Sequence, residues 1–225
     1  MILCAGYGKR LNPLTINCPK PLLKIGNETL LSNTIKFLEE YGIKHVVINV
    51  HYLAKQIVDY INKKKFNLSI TIVEEKNEIL DTGGGVLNAI KNFSNETFLI
   101  INPDTIWNLD YLKELEKMKK NFSSNNNKCY LLLVDKKRSF DKNLKGDFNL
   151  EKFLVKKDIL ENSKYIYTGL QIINPEIFQN INEKVFSMNK IWNKLIENHQ
   201  LYALESNIDF LHISTLDIYK KLNIK

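Results

Sequence analysis

Apolar and polar positions follow two periods along this chain, and the periods take turns. Residues 2–5 are a short apolar run, and residues 45–50 (HVVINV) are apolar and β-branched, as a strand buried on both faces requires. The stretch 68–74 (LSITIVE) alternates, while 97–102 (TFLIIN), 129–134 and 165–173 (YIYTGLQII) are again continuous runs. Helical spacing fills the gaps. Over residues 29–41, Leu30, Leu31, Thr34, Phe37, Leu38 and Tyr41 share one face, and Gly42 is the stop. Further helices are predicted over 53–64, 85–92 and 109–120. The polar run 121–128 reads as a surface loop, and the weak pattern over 135–164 as a β-rich insertion covering one side of the sheet. Beyond it, the pattern predicts helices near 175–180 and 187–198, strands over 201–205 and 210–213, and a last helix from residue 215. This alternation predicts an α/β fold: a doubly wound, mostly parallel sheet with helices on both faces. No internal repeat is visible, and 225 residues suit one domain spanning the whole chain.

Composition narrows the class. Hydrophobic residues make up 44% and charged residues 25%, ordinary for a globular chain. No apolar run reaches the roughly 18 residues of a membrane span, and no secretion segment opens the sequence. Cys4, Cys18 and Cys129 lack metal-ligand spacing and cannot all pair, so a reducing cytoplasm is expected. The formal net charge of +7 is spread over lysine-rich helix ends, and neither a nucleic acid nor a membrane partner is expected. Only two of the 32 basic residues are arginine, Arg10 and Arg138. Arg10 stands in the opening stretch LCAGYGKRLNPLTINCPKPLL, where a planar fork of donors suits phosphate oxygens.

That stretch can be tried against three glycine templates. The dinucleotide fingerprint G-x-G-x-x-G fails because Leu11 takes the third glycine position and no acid ends the next strand. The P-loop fails because Arg10 follows Gly8-Lys9 where Ser or Thr is needed. What fits is G-x-G-x-R (Gly6, Gly8, Arg10) followed by Pro19-Lys20-Pro21. Glycines let the backbone approach a nucleotide and turn N–H groups to phosphate; the two prolines stiffen the chain that presents Lys20. Farther on, Asp104 follows the apolar run 98–101, so its carboxylate stands where α/β sheets bind ligands. Three successive glycines, Gly83 to Gly85, cost about 1 kcal/mol each in a helix relative to Ala, so something bulky is expected against that backbone.

The opening stretch resembles the signature of sugar-1-phosphate nucleotidyltransferases, A-G-x-G-x-R-L followed by P-K-P-L. LDTGGG (80–85), NVHYLAKQI (49–57), GDFNL (146–150) and TGLQI (168–172) are similar to segments of N-acetylmuramate-1-phosphate uridylyltransferases and their near relatives. The resemblance implies a Rossmann-like nucleotidyltransferase fold. The implied reaction is NTP plus sugar 1-phosphate giving NDP-sugar and pyrophosphate, by in-line attack on the α-phosphorus. UTP and N-acetylmuramic acid 1-phosphate are the first substrate pair and cell-wall sugar recycling the implied role; the alternatives are a guanylyl- or other transferase on a hexose or heptose 1-phosphate, or a binding protein without catalysis. A monomer or homodimer fits either.

The same resemblance assigns residues. Arg10, Lys20 and Asp104 are the catalytic set. Ala5, Gly6, Gly8, Lys9, Arg10, Asn49, Thr82, Gly83 and Gly84 hold the nucleotide. Glu75, Asp147, Thr168 and Gly169 lie on the sugar side, with Glu75 alternatively in the metal shell. Asp104 and His212 are the expected ligands of Mg²⁺, or of Mn²⁺. Two departures stand out: Pro103 replaces a glycine beside Asp104, and His212 takes the place of the Asp in the family's W-x-D-V-G-T. An imidazole at that place either ligates weakly, acts through water, tilts preference to Mn²⁺, or bonds only to backbone.

Overall fold

A computed structural model describes residues 1–124, 127–157 and 162–223. The strands are β1 (Ile2–Leu3), β2 (Lys24–Ile25), β3 (Glu28–Thr29), β4 (His45–Val50), β5 (Ser69–Glu74), β6 (Phe98–Ile101), β7 (Cys129–Asp135), β8 (Asn149–Glu151), β9 (Leu154–Lys156), β10 (Tyr165–Ile173) and β11 (Leu201–Ser206). The α-helices are α1 (Leu14–Asn17), α2 (Leu30–Glu40), α3 (Ala54–Lys63), α4 (Asp81–Ala89), α5 (Tyr111–Ser124), α6 (Met188–Glu197) and α7 (Leu216–Asn223). β2 and β3 form a small separate hairpin. The other strands make one sheet in the order β5-β4-β1-β6-β10-β7-β11-β9-β8. Following the pairings across it, only β10 and β9 run against the shared direction of the rest, so the sheet is mostly parallel as expected.

Two cores explain the double winding. Because strand side chains alternate, Val46, Ile48 and Val50 of β4 face α2, α3 and α5, while Val47 faces the other side. On β7, Tyr130 and Leu132 join the first core; Cys129, Leu131 and Leu133 join the second, under α4 and α6. The longer helices present an apolar stripe, such as Ile57 and Ile61 of α3 or Ile191, Trp192 and Leu195 of α6. Thr29 caps α2 by accepting from the Ser32 N–H at 3.0 Å, and Ser187 does the same for α6 toward Asn189. No helix among the described residues is long and apolar enough to cross a membrane.

Several boundaries differ from expectation for tertiary reasons. β1 ends at Leu3, and the chain then turns into the glycine loop. α4 begins at Asp81 rather than residue 85, so the glycines lie inside its first turns. α5 runs on to Ser124 because Phe122 reaches the first core; residues 125–126 of the expected loop lie outside the described residues. Residues 175–180 give only a 3₁₀ turn, Pro175–Phe178. The insertion is β-rich, but β8 and β9 extend the sheet past β11 instead of covering a face, and residues 158–161 lie outside the described residues. Residues 210–213 are not a sheet strand. They run between two loops, with Phe210 bridging Ser139 and His212 bridging Thr105.

Candidate active site

β1 lies between β4 and β6, so the chain winds one way from it and then returns to its other side. Such a reversal leaves a crevice at the carboxyl ends of the strands. A cleft of about 430 Å³ occupies that place, lined by the glycine loop after β1, by Lys20 and Pro21, by Asn49, by Ile79, Asp81 and Thr82, and by residues 102–104. Its size is that of a small-molecule site, about 300–1,000 Å³. Of the expected residues, Ala5, Gly6, Gly8, Lys9, Arg10, Lys20, Asn49, Thr82 and Asp104 line it.

The loop is anchored behind and open in front. Gly8, at φ +65°, accepts at its carbonyl from the Leu11 N–H at 2.9 Å and from the Thr15 hydroxyl at 3.0 Å. Leu11 is buried in a small core with Leu23, Leu30 and Ile213, which ties the loop to the C-terminal segment. Gly6 is exposed, with open space where a Cβ would stand. Arg10 is exposed and makes no ion pair among the described residues, so its guanidinium is free for an anion.

Asp104 is the centre of charge. The Lys20 ammonium donates to its Oδ2 at 2.6 Å, and His212 Nδ1 stands 3.6 Å from its Oδ1. Burial alone raises the Asp104 pKa, but the Lys20 ammonium, joined by His212 at the low pH where the imidazole is protonated, more than offsets this, holding it at about 2. Burial pushes the His212 pKa down, with Lys20 and Arg10 adding to the effect and Asp104 opposing it, which favours the neutral imidazole that a metal ligand needs. Backbone pairing brings the two residues together: Ile213 N–H donates to the Asp104 carbonyl and Ile106 N–H to the Leu211 carbonyl, both at 2.8 Å. Asp104 Oδ1 is buried and has no hydrogen-bond partner. An orphaned carboxylate oxygen beside a neutral imidazole fits a divalent cation. No group of three or more His, Cys, Asp or Glu side chains among the described residues could hold one, so further ligands have to come from elsewhere, as from substrate phosphate oxygens.

The remaining expected residues are elsewhere or otherwise engaged. Gly83 and Gly84 N–H groups both donate to the Phe186 carbonyl, at 2.9 and 3.0 Å, and are not available to a ligand. The bulky neighbour expected at these glycines is the chain itself: a Cβ on Gly84 would stand 2.2 Å from the Lys184 carbonyl oxygen, and one on Gly83 within 2.5 Å of the Phe186 ring. Glu75 is buried, with both carboxylate oxygens bonded, to Asn49 Nδ2 at 2.7 Å and to Leu80 N–H at 2.8 Å. Thr168 is buried and donates to the Leu132 carbonyl, while its own carbonyl accepts from Thr105. Gly169, at φ +92°, packs against Asn102 and accepts its N–H at 2.8 Å. Neither lines the cleft. Asp147 accepts from the Tyr167 N–H and is not in the cleft wall either. Sequence reasoning missed Asp81, a cleft residue at φ +59°. Its one signal is its place before Thr82, since Asp is among the few residues that tolerate a left-handed backbone.

Comparison with known proteins identifies a family. A family model described as nucleotidyl transferase matches residues 1–209, ending just before His212. The N-acetylmuramate alpha-1-phosphate uridylyltransferase of Caulobacter vibrioides is 25% identical over 95% of this chain and 90% of its own. The mannose-1-phosphate guanyltransferase 2 of Candida glabrata is 31% identical over 91% of this chain but only 58% of its own, and the guanylyltransferase catalytic subunit beta of Drosophila pseudoobscura 27% over 91% and 56%. The chain thus spans little more than half the length of those guanylyltransferases. Among solved structures, HddC from Yersinia pseudotuberculosis complexed with GMP-PN superposes with a TM-score of 0.78 at 25% identity, covering 99% of this chain and 96% of that one.

Proposed function

This chain belongs to the nucleotidyl transferase family, and from that premise we propose that it transfers a nucleotidyl group from an NTP to a sugar 1-phosphate. An oxygen of the sugar phosphate attacks the α-phosphorus; the bond from that phosphorus to the oxygen bridging to the β-phosphate breaks, and pyrophosphate leaves. The observation that carries this reading is the charged cluster at the end of β6, where Asp104, Lys20 and His212 meet beneath the open glycine loop. The loop backbone and Arg10 bind the outer phosphates. Lys20, paired with Asp104, neutralises charge at the α-phosphate. In such transfers positioning and electrostatics carry most of the catalysis. Asp104 and His212 would hold Mg²⁺ or Mn²⁺, which when bound supplies further charge neutralisation on the phosphates.

UTP with N-acetylmuramic acid 1-phosphate is the first pair to test, supported by the motif resemblance and by the similar length of the Caulobacter relative. A second reading, GTP with a hexose or heptose 1-phosphate, is favoured by the guanylyltransferase relatives and by the fit to HddC. A panel of four NTPs against several sugar 1-phosphates, scored by pyrophosphate release, decides between them. Turnover with one pair is expected, lost on chelation and restored by Mg²⁺ or Mn²⁺. Asp104→Ala is expected to lower kcat on the order of 10²-fold or more. No turnover with any pair would leave only the reading of a nucleotide-sugar binding protein.

A further inference from the structure

Three strand ends beside the cleft are joined by a buried polar chain. Cys4 N–H, where β1 gives way to the glycine loop, donates to Asn49 Oδ1 at 3.1 Å. Asn49 Nδ2 donates to Glu75 Oε1 at 2.7 Å, and Glu75 Oε2 accepts from Leu80 N–H, just before α4, at 2.8 Å. Asn49 and Glu75 are each 3% exposed. A Cβ on Gly85 would come within 2.8 Å of Glu75 Oε1 and 2.9 Å of Asn49 Nδ2, so α4 rests directly on the pair. The chain therefore spans from the glycine loop on one wall of the cleft to Leu80, between the wall residues Ile79 and Asp81, on the other.

We propose that Asn49 and Glu75 are positioning residues, a strut of fixed hydrogen-bond polarity that sets the gap between the phosphate-facing loop and the α4 wall. This rests on reading the cleft as the nucleotide site. The polarity is forced. The Cys4 N–H is a donor, so the near atom of residue 49 must accept. The Leu80 N–H is a donor, so the near atom of residue 75 must accept. Between them one side chain must donate and the other accept. A Gln at 75 facing Asn49 breaks this in either amide orientation, because two donors then meet at one end or the other. An Asp at 49 facing Glu75 sets two carboxylates together in a buried place. Both changes at once restore the chain with its central bond reversed. The new amide at position 75 donates to the new carboxylate at position 49. That carboxylate also accepts from the Cys4 N–H, and the amide oxygen at position 75 accepts from the Leu80 N–H.

The test compares Asn49→Asp, Glu75→Gln and the double variant, all nearly isosteric with the parent. The readouts are KM and kcat, the affinity for UTP and for GTP with Mg²⁺, and amide hydrogen exchange at Cys4 and Leu80 in the ligand-free protein. Each single variant is expected to weaken NTP binding about tenfold or more, the size of losing a buried hydrogen bond. Its effect falls on KM more than on kcat, and exchange at both amides speeds up. The double variant is expected to recover affinity and protection to near the parent. Singles that match the parent would overturn the strut. So would a double variant no better than the singles, since the side chains would then act by touching ligand. If the parent binds neither nucleotide, the UTP and GTP readings fail, and exchange at Cys4 and Leu80 still decides the strut by the same pattern.

Discussion

The carboxylate of Asp104 owes its ionisation to Lys20 more than to any other neighbour. Its pKa is held at about 2, against an ordinary 3.8, although burial works the other way. A depressed value means the ionised form stabilises the fold. That contribution is complete above the unfolded value and is lost as pH falls toward 2. In Lys20→Met, burial is opposed mainly by His212, so the Asp104 pKa is expected to rise and the loss to begin at higher pH. NMR titration of the carboxyl in metal-free protein measures this directly, and an unmoved value would show that the 2.6 Å pair does not set it. At this scale the sequence was informative for three side chains that bring a charge to the cleft wall, Arg10, Lys20 and Asp104, though not for Asp81. It was uninformative where a group's partner comes from far away in the chain. Nothing near Glu75 or Gly83 announces that Asn49 and Phe186 will take their hydrogen-bonding capacity.

Among the elements, α4 departs furthest from local propensity. Glycines are poor helix formers, yet three of them sit in its first turns because the chain at residues 184–186 and the Asn49–Glu75 pair press against it. Gly84→Ala is therefore expected to destabilise, by about 1–3 kcal/mol, although Ala is intrinsically better in a helix by about 1 kcal/mol. Urea unfolding of the two proteins measures the difference, and a more stable variant would mean that the 184–186 segment yields easily. Long periodic elements such as α2, α3, β4 and β5 were legible because their apolar positions keep one period over the whole length. Residues 210–213 misled for a definite reason. They are short and largely apolar, as a strand is, and they do form strand-like bonds, but to residues 104–106 on one side and 138–140 on the other instead of to the sheet. The β2–β3 hairpin was missed because two-residue strands leave no period to read.

For the molecule as a whole, the sheet separates two cores. Ile57 lies in one and Ile191 in the other. Ile57→Val and Ile191→Val are each expected to cost about 0.5–1.5 kcal/mol, and their costs to add within about 0.5 kcal/mol in the double variant. Chemical denaturation measures all three. A large departure from additivity would show the sheet transmitting strain between its faces. The doubly wound plan was legible because it follows from alternation alone; how the insertion joins the sheet was not, because its short strands β8 and β9 are placed by pairing with β11. The pairing of residues 104–106 with 211–213 also has a consequence in time. Thr105 and His212 stand 107 positions apart. A ribosome adds roughly 5–20 residues per second, so the interval between making the two is on the order of ten seconds. Through that interval the nascent chain already has its glycine loop, Lys20 and Asp104, but the Asp104 carbonyl still awaits the Ile213 N–H. One part of the cleft is made first, and the imidazole that stands beside Asp104 follows only after that interval.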